Sequence, residues 1–257
     1  MHNGLNNMIK RALTMVGQYF LLMKKVFVLP DNSRVFFRQT GVEVEKLGLS
    51  SISIVALMSF FMGAVITIQL SLNFESPLIP KTYIGLASRD VILLEFSSTV
   101  IALILAGKIG SNITSEIGSM RITEQIDAME IMGINSANYL ILPKVVASVV
   151  FNPFLAILSM FVGILGGVFI AGISATQIIT LGDFITGVQM YFNPFYVTYT
   201  IIKMAVYSLI ITTIPAYYGY YAKGGSLDVG RAGTYSIVAS CIMILLTDLI
   251  ITQLLLT

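Results

Sequence analysis

The sequence predicts an all-helical integral membrane protein with five transmembrane helices, and three observations carry that prediction. The 257 residues are 56% hydrophobic and only 11% charged, where a soluble domain carries about 25% charged residues, and mean hydropathy is +0.87. Five apolar runs lie at about 49–72, 84–107, 145–173, 195–221 and 235–256, and each supplies the roughly 20 residues that a ~30 Å hydrocarbon core requires. The longest polar interruption between them, Leu105 to Met132, keeps helical spacing rather than loop composition.

The same composition excludes several classes. A net charge of +2 is too small for a nucleic-acid partner, and the basic residues are clustered. The single cysteine, Cys241, lies in an apolar run, so no disulfide framework or metal cluster is expected. With no tryptophan present, interfacial anchoring falls to tyrosines such as Tyr217, Tyr218, Tyr220 and Tyr221.

From Leu5 to Phe27, apolar residues alternate at helical spacing with Asn6, Lys10, Arg11, Thr14, Gln18 and Lys25. That pattern predicts an amphipathic helix with a basic face, lying in the headgroup region or packed on a cytosolic surface. Lys24 and Lys25 interrupt any signal-peptide core, so the N-terminus is expected to be retained. Pro30 to Ser33 breaks the helix, and Val35 to Gly48 reads as a mixed connector that closes an N-terminal region of residues 1–48.

Residues 49–257 form the membrane region. In the first crossing, Ile66, Gln69, Leu70, Ser71 and Phe74 make a stripe suited to helix packing or lipid contact. Asn152-Pro153 predicts a kink or tilt in the third. Ile178, Leu181, Ile185, Val188 and Phe192 predict a small surface helix before the fourth. Lysine and arginine fall almost wholly on one side if the N-terminus is inside, leaving Lys81 and Arg89 outside. Positive-inside logic therefore places the N-terminus in the cytoplasm and the C-terminus outside.

Ionisable residues within the crossings are Glu95, Lys203 and Asp248. Each costs about 2.5–3.5 kcal/mol at the bilayer centre on insertion scales, so they should face an interior, a cavity or one another. They read equally as a polar patch on a substrate route or as pairs that fix packing. Arg89 and Asp90 are expected at the outer interface. Gly107-Lys108 is not the end of a phosphate-binding loop, because Ala102 replaces the required glycine and Ile109 follows the lysine. His2 is the only histidine. No enzyme is indicated, and no fixed-period repeat is visible.

Within the polar interruption, Thr123 is expected to cap a short helix over 123–132, with Glu124 and Asp127 in its first turn and Gly133 as its stop. Ile126 and Met129 share one face, and Glu124, Asp127 and Glu130 another. Taken alone, this is a helix across the membrane surface or a solvated connector.

The run AGKIGSNITSEIGSMRITEQIDAMEIMGI resembles the signature of the MlaE family, also called YrbE. Ala106, Gly107, Gly110, Ser111, Glu116, Ile117, Gly118, Met120, Thr123, Glu124, Gln125, Met129, Glu130 and Met132 match its pattern. Lys108 stands where arginine is usual and Ser115 where alanine is usual; Leu94-Glu95-Phe96-Ser97-Ser98 departs from the usual R-E-L-G-P. The resemblance extends through Gly219–Tyr221, Gly224, Gly225 and Val229–Ala232 to Asp248, covering roughly Leu49 to the end.

It implies the permease subunit of a lipid-transporting ABC system in a bacterial inner membrane, working as a homodimer. An MlaF-like cytoplasmic ATPase would bind ATP and Mg and would grip the coupling helix through Glu116, Arg121, Glu124, Gln125, Asp127 and Glu130; this chain itself would bind no cofactor. An MlaD-like MCE-domain protein would sit outside, with room for a small MlaB-like STAS-domain protein. Phospholipid would be the substrate, with Ile66, Gln69, Leu70 and Phe74 as its contacts. The alternatives are an ion-coupled secondary carrier, with Glu95, Lys203 and Asp248 as a relay, and a membrane scaffold.

Overall fold

The computed structural model describes the chain apart from residues 1, 31, 75–78, 174–178 and 257, and side chains apart also from those of residues 2–9, 11, 12 and 256. Among the described residues there is helix and no strand. In order these are α1 (His2–Val26), α2 (Ser33–Asn73), α3 (Thr82–Ile122), α4 (Gln125–Ile131), α5 (Ser136–Ile173), α6 (Leu181–Gln189), α7 (Phe195–Tyr220) and α8 (Ser226–Leu256). Five of them, α2, α3, α5, α7 and α8, are long and apolar enough to cross a membrane, as the hydropathy predicts.

Their ends differ from the hydrophobic boundaries. Val35 to Gly48 is no connector: Asn32 caps the helix through Arg34 N and Val35 N, and α2 then runs on through a π-helical turn (Val44–Gly48) and a 3-10 turn (Leu49–Ser51) into the first crossing. The second crossing continues past Gly107 to Ile122, the third starts at Ser136, and the fifth starts at Ser226. Hydropathy marks only the part of a helix that lies in hydrocarbon. Backbone hydrogen bonding carries the helix beyond it wherever polar side chains suit water.

α7 lies at the centre of the bundle, packed against α5, α3 and α8, while α2 packs on α5. The α2–α5 seam is built on small residues. A Cβ on Gly63 would collide with the Gly163 carbonyl, and one on Gly166 with the Phe60 carbonyl, so these backbones touch. Ser159 sits in the same seam, accepting from Ser59 (2.9 Å) and donating to Ser97 of α3 (3.2 Å). α5 runs helical through both Pro143 and Pro153, and Asn152 beside the second proline donates to Ser208 of α7 at 3.0 Å.

α1 has the amphipathic character read from its sequence. Leu22, Met23 and Val26 are buried against the bundle, and Leu13, Val16, Phe20 and Leu21 are exposed. Tyr19 donates to Thr213 and Tyr217 donates to Gln18, while Asn138 closes the end of α1 by donating to the Val26 and Val28 carbonyls at 2.7 Å each. At the other end of the bundle, α6 presents a different face from the one expected. Leu181 and Ile185 are exposed, Phe192 falls beyond the helix, and Ile178 lies outside the described residues. Phe184 is buried instead, because Gly187 and Gly85 let the backbones of α6 and α3 meet on that side.

Two glycine substitutions should therefore act in opposite directions. Gly63→Val is expected to destabilise the solubilised protein by about 1–3 kcal/mol through overpacking. Gly41→Ala, with nothing within 4 Å of its Cβ, should be neutral or stabilising by up to about 1 kcal/mol. Thermal unfolding in one detergent measures both.

Candidate functional site

The three intramembrane charges meet. Lys203 of α7 is completely buried, and its ammonium lies 2.6 Å from Asp248 Oδ1 of α8 and 3.4 Å from Glu95 Oε2 of α3. The Tyr207 hydroxyl donates to Asp248 Oδ1 at 2.6 Å. Thr99 lies 3.1 Å from that same oxygen and 3.2 Å from Glu95 Oε2, and its one proton serves either carboxylate. The Lys203 ammonium also donates to the Leu94 carbonyl at 3.3 Å and lies 4.8 Å from the centre of the Tyr199 ring. With all three groups ionised the cluster carries one excess negative charge, and the Glu95 side chain, 46% exposed, is the one that reaches the bundle surface.

The backbone that presents Glu95 is not α-helical. Ile92–Val100 forms a π-helix, and its wider turn sets Glu95 and Thr99 toward α7 and α8 together. The acid is thus kept where the local sequence departs from R-E-L-G-P. Sequence reasoning identified the three charges but missed Thr99, Tyr199, Tyr207 and the π-helix. The unbroken Ser97-Ser98-Thr99 run beside an acid was the available signal.

Arg89, expected at the interface, is buried: it donates to Asp90 (2.9 and 2.8 Å), to the Val188 carbonyl (2.9 Å) and to the Met190 carbonyl (2.6 Å), fastening the end of α6 to α3. The first-crossing stripe divides. Leu70 and Phe74 pack against the outer cluster of Ile84, Ala171, Ile179 and Phe184, Ile66 packs against the core, and Gln69 faces outward.

At the end of the bundle that carries α4 the six expected coupling residues occupy different settings. Glu116 lies on α3, bound to Lys46 of α2 (2.6 Å) and Lys144 of α5 (3.1 Å), and buried Lys144 also holds Glu43 at 2.6 Å. Lys108 donates to the Ser50 carbonyl, adding a second tie between α3 and α2. Thr123 does not cap α4, because its hydroxyl bonds back to the Ser119 carbonyl. Glu124 takes the N-cap position, left-handed at φ 60° with no side-chain bond. Gly133 ends the helix as expected: at φ +79° it donates to Glu130 O while Ile134 N bonds Met129 O.

Along α4, Asp127 pairs with Arg121 at 2.5 Å, and Gln125 donates to Thr123 at 3.0 Å. Glu130, itself exposed, bonds back to the bundle, accepting from the Tyr220 hydroxyl at 2.7 Å and from Ser136 at 3.0 Å. The Tyr220 hydrogen bond holds its carboxyl below the usual carboxylate range. Ile126 is buried. What α4 turns outward is Glu124, Ala128 and an apolar pair that sequence reasoning had not assigned, Ile131 and Met132, 87% and 68% exposed.

An apolar tip on a charged helix at the end of an all-helical bundle fits a transporter subunit that docks another protein, and comparison with known proteins decides which kind. Residues 40–254 match the permease MlaE family. The chain belongs to the MlaE permease family. A probable ABC transporter permease protein of Rickettsia bellii is 33% identical over 98% of this chain and 97% of its own length. A probable ABC transporter permease protein of Synechocystis is 31% identical over 89% of this chain and 86% of its own. The chloroplastic protein trigalactosyldiacylglycerol 1 of Arabidopsis thaliana is 26% identical over 86% of this chain and 63% of its own. This MlaE permease is accordingly an integral membrane transport subunit, and an ABC permease works with an ATPase.

The charge cluster yields a stability test. Lys203→Met leaves two carboxylates without their cation and should cost about 3–5 kcal/mol. Asp248→Asn added to Lys203→Met removes one stranded charge and should recover part of that loss. A double variant no more stable than Lys203→Met by thermal unfolding would mean that the pair does not act as a unit.

Proposed function

We propose that this MlaE permease moves phospholipid, or a lipid of similar build, as the membrane subunit of an ATP-driven complex in a bacterial inner membrane. Two copies form the membrane unit, with the N-terminus and α4 in the cytoplasm and the C-terminus in the periplasm. ATP and Mg are bound by an MlaF-like ATPase, an MlaD-like MCE-domain protein meets the outer face, and a small MlaB-like STAS-domain protein completes the cytoplasmic side.

The observation that carries the reading is the outward face of α4. Exposed apolar side chains on a cytoplasmic surface mark a protein contact, and Ile131 with Met132 forms a projection next to Glu124 and Gln125 that an apolar groove on an ATPase would accept. Asp127, Glu130, Glu116 and Arg121 act behind this contact, through their bonds inside the permease. Nucleotide-driven closure of the ATPase pair biases the permease because α4 is held differently in the two states.

Two further features support the rest. α8 is the least covered of the five spans, 11% of its apolar window being buried against 33–56% for the others, which leaves room for a second protomer on one face and lipid on another. Gln69, with exposed Val65 and Leu72 beside it on α2, gives an apolar wall carrying one amide, suited to acyl chains. The name of the Arabidopsis relative contains a diacylglycerol lipid.

Native mass spectrometry of the complex, purified in mild detergent through a tag on this chain, tests the reading. Two permease chains, two ATPase chains and bound lipid are expected; a stable particle with neither ATPase nor lipid would overturn it. In the same assay Ile131→Asp with Met132→Asp should strip the ATPase while the permease stays folded. ATPase retained at wild-type stoichiometry would remove α4's tip as the contact.

A further inference from the structure

Besides the buried Ile126, two acidic side chains tie α4 to the ends of α3 and α7. Asp127 binds Arg121 on the last turn of α3 at 2.5 Å. Glu130, one turn on, receives the hydroxyl of Tyr220 at the last residue of α7, at 2.7 Å, in a bond strengthened by the charge on the acceptor. The same two helices carry the intramembrane pair: Glu95 and Thr99 are on α3, Lys203 and Tyr207 on α7. From Tyr220 to Lys203, α7 is helical throughout, a rise of about 25 Å at 1.5 Å per residue.

At that far end the contacts are unequal. Between α7 and α8, Lys203–Asp248 at 2.6 Å is reinforced by Tyr207 on the same carboxylate. Between α7 and α3, Thr200 donates to the Leu93 carbonyl at 2.5 Å, but the ion pair Lys203–Glu95 is long at 3.4 Å, Glu95 is half-exposed, and α3 is π-helical there. A wide turn is the part of a helix best able to take up a slip along its axis. If α3 and α7 slide, Glu95 lets go and Lys203 keeps Asp248.

We propose that Tyr220 is the positioning residue that transmits movement of α4 to the membrane interior: through Glu130 it draws α7 along α3 and opens the Lys203–Glu95 contact in each transport cycle. The proposal rests on the reading of α4 as the element an ATPase moves. Tyr220 touches neither lipid nor nucleotide in it, and Thr99, on α3 with Glu95, moves with that carboxylate and keeps its bond to it.

The test uses the full complex in proteoliposomes, with lipid moved per ATP hydrolysed as the readout. Tyr220→Phe removes only the hydroxyl and should lower that ratio about tenfold, the scale of one hydrogen bond to a charged group, with ATPase stoichiometry and unfolding temperature at wild-type values. Adding Ser136→Ala, which strips the second donor from Glu130, should lower it further. Glu95→Gln, more than 20 Å away by the rise of α7, should make the protein indifferent to Tyr220→Phe, although substitutions at that separation normally add. Additive losses, or a wild-type ratio in the Tyr220→Phe, Ser136→Ala double variant, would overturn the joint. A wild-type complex without an ATPase would instead remove the function beneath it, and this proposal with it.

Discussion

A lysine with no exposed surface in the middle of a membrane helix sets terms for everything near it. Hydrocarbon offers its ammonium nothing, so other helices must bring the counter-charge, and here two do: Asp248 from α8 and Glu95 from α3. Tyr207, Thr99 and the Leu94 carbonyl complete the shell. The position of α8, the least covered of the spans, is tied to α7 by this demand and by the Tyr199–Thr252 contact at 2.8 Å. The same demand accounts for the π-helix in α3, which an apolar contact would not have required.

The end of the bundle near α4 solves a related problem in a wetter setting. Lys144 is buried among Glu43 and Glu116, and Glu116 also reaches Lys46, so α2, α3 and α5 are joined at one level by alternating charges. The seam of Gly63, Gly163 and Gly166 does the equivalent work inside the bilayer by backbone contact, without charge. α3 and α7 are also close-packed, a Cβ on Gly219 meeting the Thr114 carbonyl and Thr200 donating to the Leu93 carbonyl at 2.5 Å, while the Lys203–Glu95 pair between them is long.

Number of crossings, helical class and the identity of the three intramembrane charges were legible in the sequence because each follows from transfer energetics: apolar runs of bilayer length, and charges too costly to leave unpaired in lipid. The family was legible from the run between Ala106 and Met132. Helix ends were not, since Ser33–Gly48, Gly107–Ile122 and Ser226–Thr234 are helical without being apolar. Nor was the direction of side chains on α4. A heptapeptide helix has too few residues for periodicity to separate Glu130, turned to Tyr220, from Glu124, turned to water. The partners of Arg89 were hidden for a comparable reason: its acceptors are carbonyls some hundred residues away, and no local pattern announces them.

α2 is 41 residues long, about 62 Å at helical rise, twice the thickness of the hydrocarbon it crosses. Its non-α turns at Val44–Ser51 lie just where the charged segment gives way to the apolar one. That collar is bracketed by Glu43–Lys144, Lys46–Glu116 and the Lys108 bond to the Ser50 carbonyl, so the helix changes its winding there while pinned to α3 and α5. Its first eleven residues (Ser33–Glu43) therefore reach past the hydrocarbon as an extension of the bundle, held at the charged level by side chains of two other helices.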